Sequence, residues 1–178
     1  MRRLPRLYLR MLRYRVAAMV WMFMLLGAAF HGGLGNAVGA LVWAALALAS
    51  SYVAATTLND VADRDIDRVN HPRDSGRPLV SGEASERDLL LLHALASAVA
   101  FAAALPLGVT GVALVAGALA IGHAYSARPL VLSQRTYLAP SALGVAYVLV
   151  PYGLGVAAVG SVPSGAMSSS AQGSSRSS

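Results

Sequence analysis

The chain has 178 residues, of which 56% are hydrophobic and only 12% charged, and its formal net charge is +6. A soluble domain carries about 25% charged residues, and a mean hydropathy of +0.58 excludes an ordinary water-soluble enzyme. All 14 basic residues are arginine and there is no cysteine, which excludes lysine Schiff-base chemistry and disulfides.

The charges are segregated. None falls between Arg15 and Asp60, between Asp88 and Arg128, or between Arg135 and Arg176. Each gap exceeds the roughly 20 apolar residues that cross a bilayer, so the chain reads as an all-α integral membrane protein. The basic N-terminus, residues 1–15, holds six arginines beside an apolar segment, where a cytoplasmic membrane anchor carries them. With no aromatic–basic interleaving, nucleic acid is not an expected partner. The segment that follows lacks a clean small-x-small cleavage site, so it reads as a retained helix and not a signal peptide.

Five spanning segments are predicted inside a membrane domain over residues 16–160: Val16–Leu34, Ala37–Leu58, Leu89–Leu107, Val109–Ser126 and Leu138–Val159. "HGGLGN" breaks the first from the second, and "PLG" at Pro106–Gly108 ends the third. The second and fourth are rich in Ala, Gly and Ser, which lets helices approach closely. With the N-terminus on the cytoplasmic side, 13 of the 14 arginines fall inside and one, Arg176, outside, as the positive-inside rule demands. Residues 161–178 are Ser/Gly-rich and read as a disordered tail.

All eight acidic residues fall between Asp60 and Asp88, in one cytoplasmic loop spanning 59–88. If the second helix continues through Arg68, Asp60, Asp63 and Asp67 lie within about 60° of one another around its axis, with Asn59 at their edge and Asp65 turned away. Like charges at this spacing repel, and the cost rises near a bilayer, where ionised groups mark function. Arg64 and Arg68 lie at the flank of the face and pair with it only in part. A magnesium ion fits the pattern better. It takes oxygen ligands, typically one or two carboxylates plus substrate phosphates, and a lipid diphosphate would supply the phosphates. The alternative is a solvated loop whose acids and arginines pair with one another.

The run Asn59, Asp60, Asp63, Asp67 reads N-D-x-x-D-x-x-x-D, and it resembles the first aspartate-rich motif of the UbiA-like intramembrane prenyltransferases. "RPLVSG", Arg77–Gly82, resembles that family's continuation of the motif, and "AYSARPLVLSQR", Ala124–Arg135, resembles the segment after its fourth helix. The resemblance covers about residues 10–160, roughly the first half of a normal member, so the chain reads as five helices of a truncated UbiA-like bundle. It implies transfer of a prenyl group from a polyprenyl diphosphate to an acceptor, often aromatic, with Mg2+ as cofactor. Asn59, Asp60, Asp63 and Asp67 would bind magnesium and diphosphate, the three aspartates as catalytic residues. Arg77 would contact phosphate, and Tyr125 and Arg135 would lie near the same mouth. No acid follows Asp88, so the family's second aspartate-rich motif is not in these residues. The alternative function is therefore a non-catalytic fragment or degenerate paralogue that binds magnesium and prenyl diphosphate without turnover. A CDP-alcohol phosphotransferase is excluded by the lack of a D-G-x-x-A-R opening.

The histidines at 31, 93 and 123 have no metal-ligand spacing and read as helix-packing groups, while His71 reads as a turn residue beside Pro72. Trp21, Trp43 and most tyrosines read as lipid-facing or interfacial anchors, with Tyr147 and Tyr152, near Pro151, as candidates for a cavity wall. Ser81 or Ser85 is expected to cap the third spanning helix.

Overall fold

A computed structural model describes residues 3–35, 37–70, 72 and 76–162. The expected tail beyond Val162 and the turn residue His71 lie outside the described residues. Among the described residues eight α-helices follow one another: α1 (Arg3–Met11), α2 (Tyr14–Phe30), α3 (Val38–Ala62), α4 (Arg64–Asn70), α5 (Glu86–Ala104), α6 (Gly108–Ser126), α7 (Leu138–Gly144) and α8 (Val150–Gly160). Short 3-10 turns at Leu105–Leu107 and Leu132–Gln134 and a π turn at Val145–Leu149 join them, and there is no strand among the described residues.

By length and composition, Val38–Ala62, Glu86–Ser126 and Leu138–Gly160 each suffice to cross a bilayer, and Leu4–Met11 with Tyr14–Phe30, bent by 66°, makes a fourth stretch. Glu86–Ser126 has 41 residues, about 60 Å at 1.5 Å per residue and twice the hydrocarbon thickness. It folds back at Pro106. His93 Nδ1 is hydrogen-bonded to the Ala54 carbonyl at 2.9 Å, while Gly122 packs against Ala55, so positions 93 and 122 lie at one level along α3. The stretch therefore crosses twice, which accords with the five predicted segments. The first of these begins earlier than expected, and its arginine-rich approach is a separate helix.

Helix α3 is the axis of the bundle, packing along α5 and α6 and touching α1, α2 and α8. Its inner residues are small: Ala44, Ala47 and Ala54 are fully buried, with Val53 beside them. Three of its hydroxyls are satisfied within the helix: those of Ser51, Thr56 and Thr57 donate to the carbonyls of Ala47, Tyr52 and Val53 at 2.8 to 2.9 Å. Such back-bonding lets hydroxyls sit in an apolar helix without an unmet donor. Ser85 is the N-cap of α5 in a capping box with Asp88, which settles the choice between Ser81 and Ser85. Trp21 is turned inward, donating Nε1–H to the Ala45 carbonyl at 3.2 Å. The lipid-facing role expected of it fits only the exposed Trp43.

Helices α2 and α8 approach backbone to backbone. A Cβ at Gly155 would run into the Met24 carbonyl, and one at Gly27 into the Tyr152 carbonyl. Close contact through small residues is the main source of helix association inside a bilayer. Gly155→Ala is therefore expected to cost about 1–3 kcal/mol or more by overpacking, read as a lower midpoint of thermal unfolding in detergent micelles. Gly117→Ala, where a Cβ meets nothing within 4 Å, is the control and leaves the midpoint unchanged or higher.

Candidate functional site

The acidic run lies where α3 gives way to α4. Helix α3 continues four residues beyond the predicted Leu58, and Asp63 forms the joint. The joint barely interrupts the helical sense, because the Asp63 amide donates to the Asn59 carbonyl at 2.9 Å and the Asp67 amide to the Asp63 carbonyl at 2.8 Å. Asp65 points off the face and pairs with Arg64 at 3.1 Å and with Arg68 at 3.7 Å. Its hydrogen bond to Arg64, and that cation's charge, hold the Asp65 carboxyl below its ordinary range.

The other three aspartates do not form one cluster. Asp60 is buried, with Arg13 Nη2 3.5 Å from Oδ1. Asp67 is buried and forms an ion pair with Arg77. Asp63 Oδ2 accepts a hydrogen bond from Asn59 Nδ2 at 3.0 Å, and Asn59 Oδ1 accepts one from Ser126 Oγ of α6 at 3.3 Å. Among the described residues, no group of three or more Asp, Glu or His sits close enough to hold a metal ion. Like charges in a low dielectric separate, and each buried carboxylate takes its own guanidinium. The arginines that do this come from the α1–α2 break and from the loop before α5, not from positions 64 and 68.

Asn59 and Asp63 line a cavity of about 440 Å³ between α2, α3, α6 and the α7–π segment. Arg13, Tyr125, Ser126 and Ser133 share its polar end; Val20, Leu48, Ala118 and Leu143 form much of the rest. Among the residues expected at the mouth, Tyr125 is on the cavity wall. Arg135 is not: it is exposed, and its Nε–H donates to the Leu130 carbonyl at 3.0 Å. Arg77 is also off the wall, turned onto Asp67. Tyr147 lines the cavity as expected of it, while Tyr152 instead meets His31 edge-on, ring centroids 6.1 Å apart. Arg13 was not marked out by the sequence, where it is one arginine of six in a basic run. It sits at the α1–α2 break in a left-handed conformation, φ 43°, which a non-glycine residue adopts at a cost of about 1–2 kcal/mol.

In its sequence the chain matches the UbiA prenyltransferase family over residues 20–172. It belongs to that family. It is similar to a 4-hydroxybenzoate octaprenyltransferase of Albidiferax ferrireducens, 34% identical over 116 residues, covering 60% of this chain and 34% of that protein. It is also similar to a chloroplastic chlorophyll synthase of Arabidopsis thaliana, 33% identical over 125 residues, covering 60% of this chain and 28% of that protein. In three dimensions it resembles a UbiA homolog from Archaeoglobus fulgidus, solved bound to DMAPP and Mg2+ and again bound to GPP and Mg2+. The TM-scores are 0.71 and 0.72 at 27% and 26% identity, covering 86% of this chain and 54% of that one. The UbiA-family chain thus spans about a third of the curated relatives and about half of the solved ones.

The donor chemistry at the α3 end suits a hard divalent cation. Every candidate offers oxygen, and Asp63 is a carboxylate on a cavity wall, the arrangement magnesium uses with one or two carboxylates and substrate phosphates. The ion pairs of the buried carboxylates Asp60 and Asp67 bear on stability. Removing one partner of a buried pair costs about 3–5 kcal/mol, because the other charge is stranded. Arg77→Met is therefore expected to lower unfolding stability by about 2–4 kcal/mol, the low side reflecting its 21% side-chain exposure. Arg64→Met, on an exposed pair with Glu86, has little effect. The double variant Asp67→Asn with Arg77→Met recovers part of the loss, because an amide needs no counter-charge. Thermal unfolding of the four proteins in one detergent tests the order.

Proposed function

We propose that this UbiA-family chain binds a prenyl diphosphate with Mg2+ and contributes the first aspartate-rich half of a site that transfers the prenyl group to an acceptor, often aromatic. The observation that carries the reading is the placement of Asn59 and Asp63, from the N-D-x-x-D-x-x-x-D run, at the charged end of a cavity whose wall also includes Val20, Leu48, Ala118 and Leu143. The solved relatives, bound to DMAPP or GPP with Mg2+, and the octaprenyltransferase name of one curated relative support it. The proposal sets the N-terminus and the 59–88 loop on the cytoplasmic side, where 13 of the 14 arginines then lie.

Asp63 and Asn59 would hold the cation at the cavity wall, with Asp60 and Asp67 completing its acidic surroundings. When bound, the cation stabilises the negative charge that builds on the diphosphate as the allylic C–O bond breaks. Arg13, on the same wall, adds positive charge to the same region, and Asn59 fixes the Asp63 carboxylate by spanning from it to Ser126. Fixed dipoles and charges aimed at developing charge are the largest single source of catalysis in such sites. The apolar walls below exclude water from the reacting carbon. Arg77 acts through Asp67, which it neutralises and holds. Tyr125 shapes the mouth.

Binding without turnover is the second reading, favoured by Asp63 being, among the described residues, the one carboxylate on the cavity wall. Magnesium-dependent binding of geranyl diphosphate to the purified 178-residue chain, measured with and without EDTA, tests the common part. Asp63→Asn is expected to weaken it at least tenfold. Asp65→Asn, off the face and paired with Arg64, leaves it within twofold. Unchanged binding in Asp63→Asn would overturn the assignment of the acidic run. Product formation from an aromatic acceptor by the same preparation would decide for transfer over binding alone.

A further inference from the structure

Helix α3 supplies a ruler for the cavity. Leu48, Tyr52, Ala55, Asn59 and Asp63 all line it, at steps of three and four residues that keep them on one side of the helix. From Asn59 to Tyr52 is seven residues, about 10 Å along the axis, and Leu48 lies about 6 Å deeper. The cavity is therefore a channel running from a charged mouth toward an apolar end, and its lining changes character partway down.

The change occurs at a pair of tyrosines. Tyr52 and Tyr147 meet edge to face, with ring centroids 6.0 Å apart and planes at 61°. Tyr52 is buried, and both rings face the cavity. Tyr147 stands at the centre of the π turn Val145–Leu149. The sequence explains that turn: Pro151 has no amide N–H, so the Tyr147 carbonyl lacks the donor an α-helix would give it four residues on. The Val150 amide reaches back to the Val145 carbonyl, one residue further than an α-helix allows. Such widened turns occur often at functional sites, and this one sets the Tyr147 ring across from Tyr52.

We propose that the Tyr52–Tyr147 pair sets the prenyl length the cavity accepts with ease, at two isoprene units. The inference rests on the diphosphate-binding reading above. An isoprene unit adds four chain bonds of about 1.5 Å, or about 5 Å of extended length. Two units fill the distance between Asn59 and the ring pair, and a third must pass between the rings to reach Leu48 and Val20. Tyr147, on the broken helix, is the ring that has to move; Tyr52 is held in the packed core of α3.

Affinity against tail length tests this, because the unobstructed case has the opposite sign. Each added buried CH2 strengthens binding, so an open channel would take farnesyl diphosphate at least tenfold more tightly than geranyl diphosphate. The magnesium-dependent part of the affinity for each, measured with the full chain in nanodiscs, is expected to show farnesyl bound no more tightly than geranyl. In Tyr147→Ala, and in the bulkier Tyr147→Leu should the first fail to fold, farnesyl gains at least tenfold over geranyl. Tyr147→Phe keeps the original order, since the ring is what obstructs. So does Val148→Ala, one residue along and off the cavity wall. Farnesyl bound tenfold tighter by the unaltered chain, or an order unmoved in both Tyr147→Ala and Tyr147→Leu, would overturn the length-setting role while leaving diphosphate binding intact. Absence of magnesium-dependent binding for either ligand would overturn both together.

Discussion

Two carboxylates buried at the end of a membrane helix each require a cation, and the whole polar layer of this protein is arranged around meeting that need. Asp60 and Asp67 retain 2% and 5% exposure, and an ionised carboxylate at such burial is sustained only by a close, hydrogen-bonded partner. The partner of Asp60 lies 47 residues earlier, on a chain that has to turn back to deliver it. The first spanning stretch is bent by 66°, and Arg13 stands at that bend in a left-handed conformation, from which its side chain reaches Asp60. The partner of Asp67 arrives from the other side, on the loop that leads into α5. Arg10, paired with Glu83, ties the two deliveries together. The exclusive use of arginine suits this role, since a guanidinium stays charged when partly buried and its planar fork matches a carboxylate.

This arrangement leaves Asp63 in a different situation from its neighbours. It is held by an amide, Asn59, which is itself anchored to Ser126 on α6. A neutral partner positions the carboxylate without cancelling its charge. Of the aspartates on the shared face, Asp63 is therefore the one whose negative charge is expressed at the cavity, and Arg13 is the balancing positive charge on the same wall. The electrostatic character of the cavity mouth follows from which residues were given arginines and which was given an asparagine.

Much of this was legible in the sequence. Three charge-free gaps, two of them divided at "HGGLGN" and at Pro106–Gly108, gave five crossings, because desolvation of charge in lipid is costly enough to keep charges out of the spanning segments. Spacing alone put Asp60, Asp63 and Asp67 on one side and Asp65 off it. What spacing could not supply was the fate of each carboxylate, because that is decided by groups remote in the chain. Arg13 was indistinguishable from five other arginines serving the positive-inside bias, and Arg77 was read as a phosphate contact when its nearest obligation is to Asp67. Arg135, expected near the same mouth, lies off the cavity wall and captures a carbonyl of its own loop. Trp21 read as a lipid anchor because an apolar helix shows no preferred face. Only the partner carbonyl of Ala45, on another helix, orients it.

The π turn shows the intermediate case. Pro151 announces that a helix will be disturbed, and Gly144 and Gly153 on either side leave room for it, but the proline does not say in which direction the helix relaxes. The answer comes from α3. Tyr52 is fixed by the small-residue packing that binds α3 to α5 and α6, and the face-to-edge preference of two aromatic rings then favours the widened turn that brings Tyr147 across. A widened turn on an exposed helix is thus specified by packing on the central helix of the bundle, and the same helix carries the acidic run about 10 Å away. Asp63 and Tyr52 are both placed by α3, so a shift of that helix would move both together, whereas a change in the π turn would move Tyr147 alone.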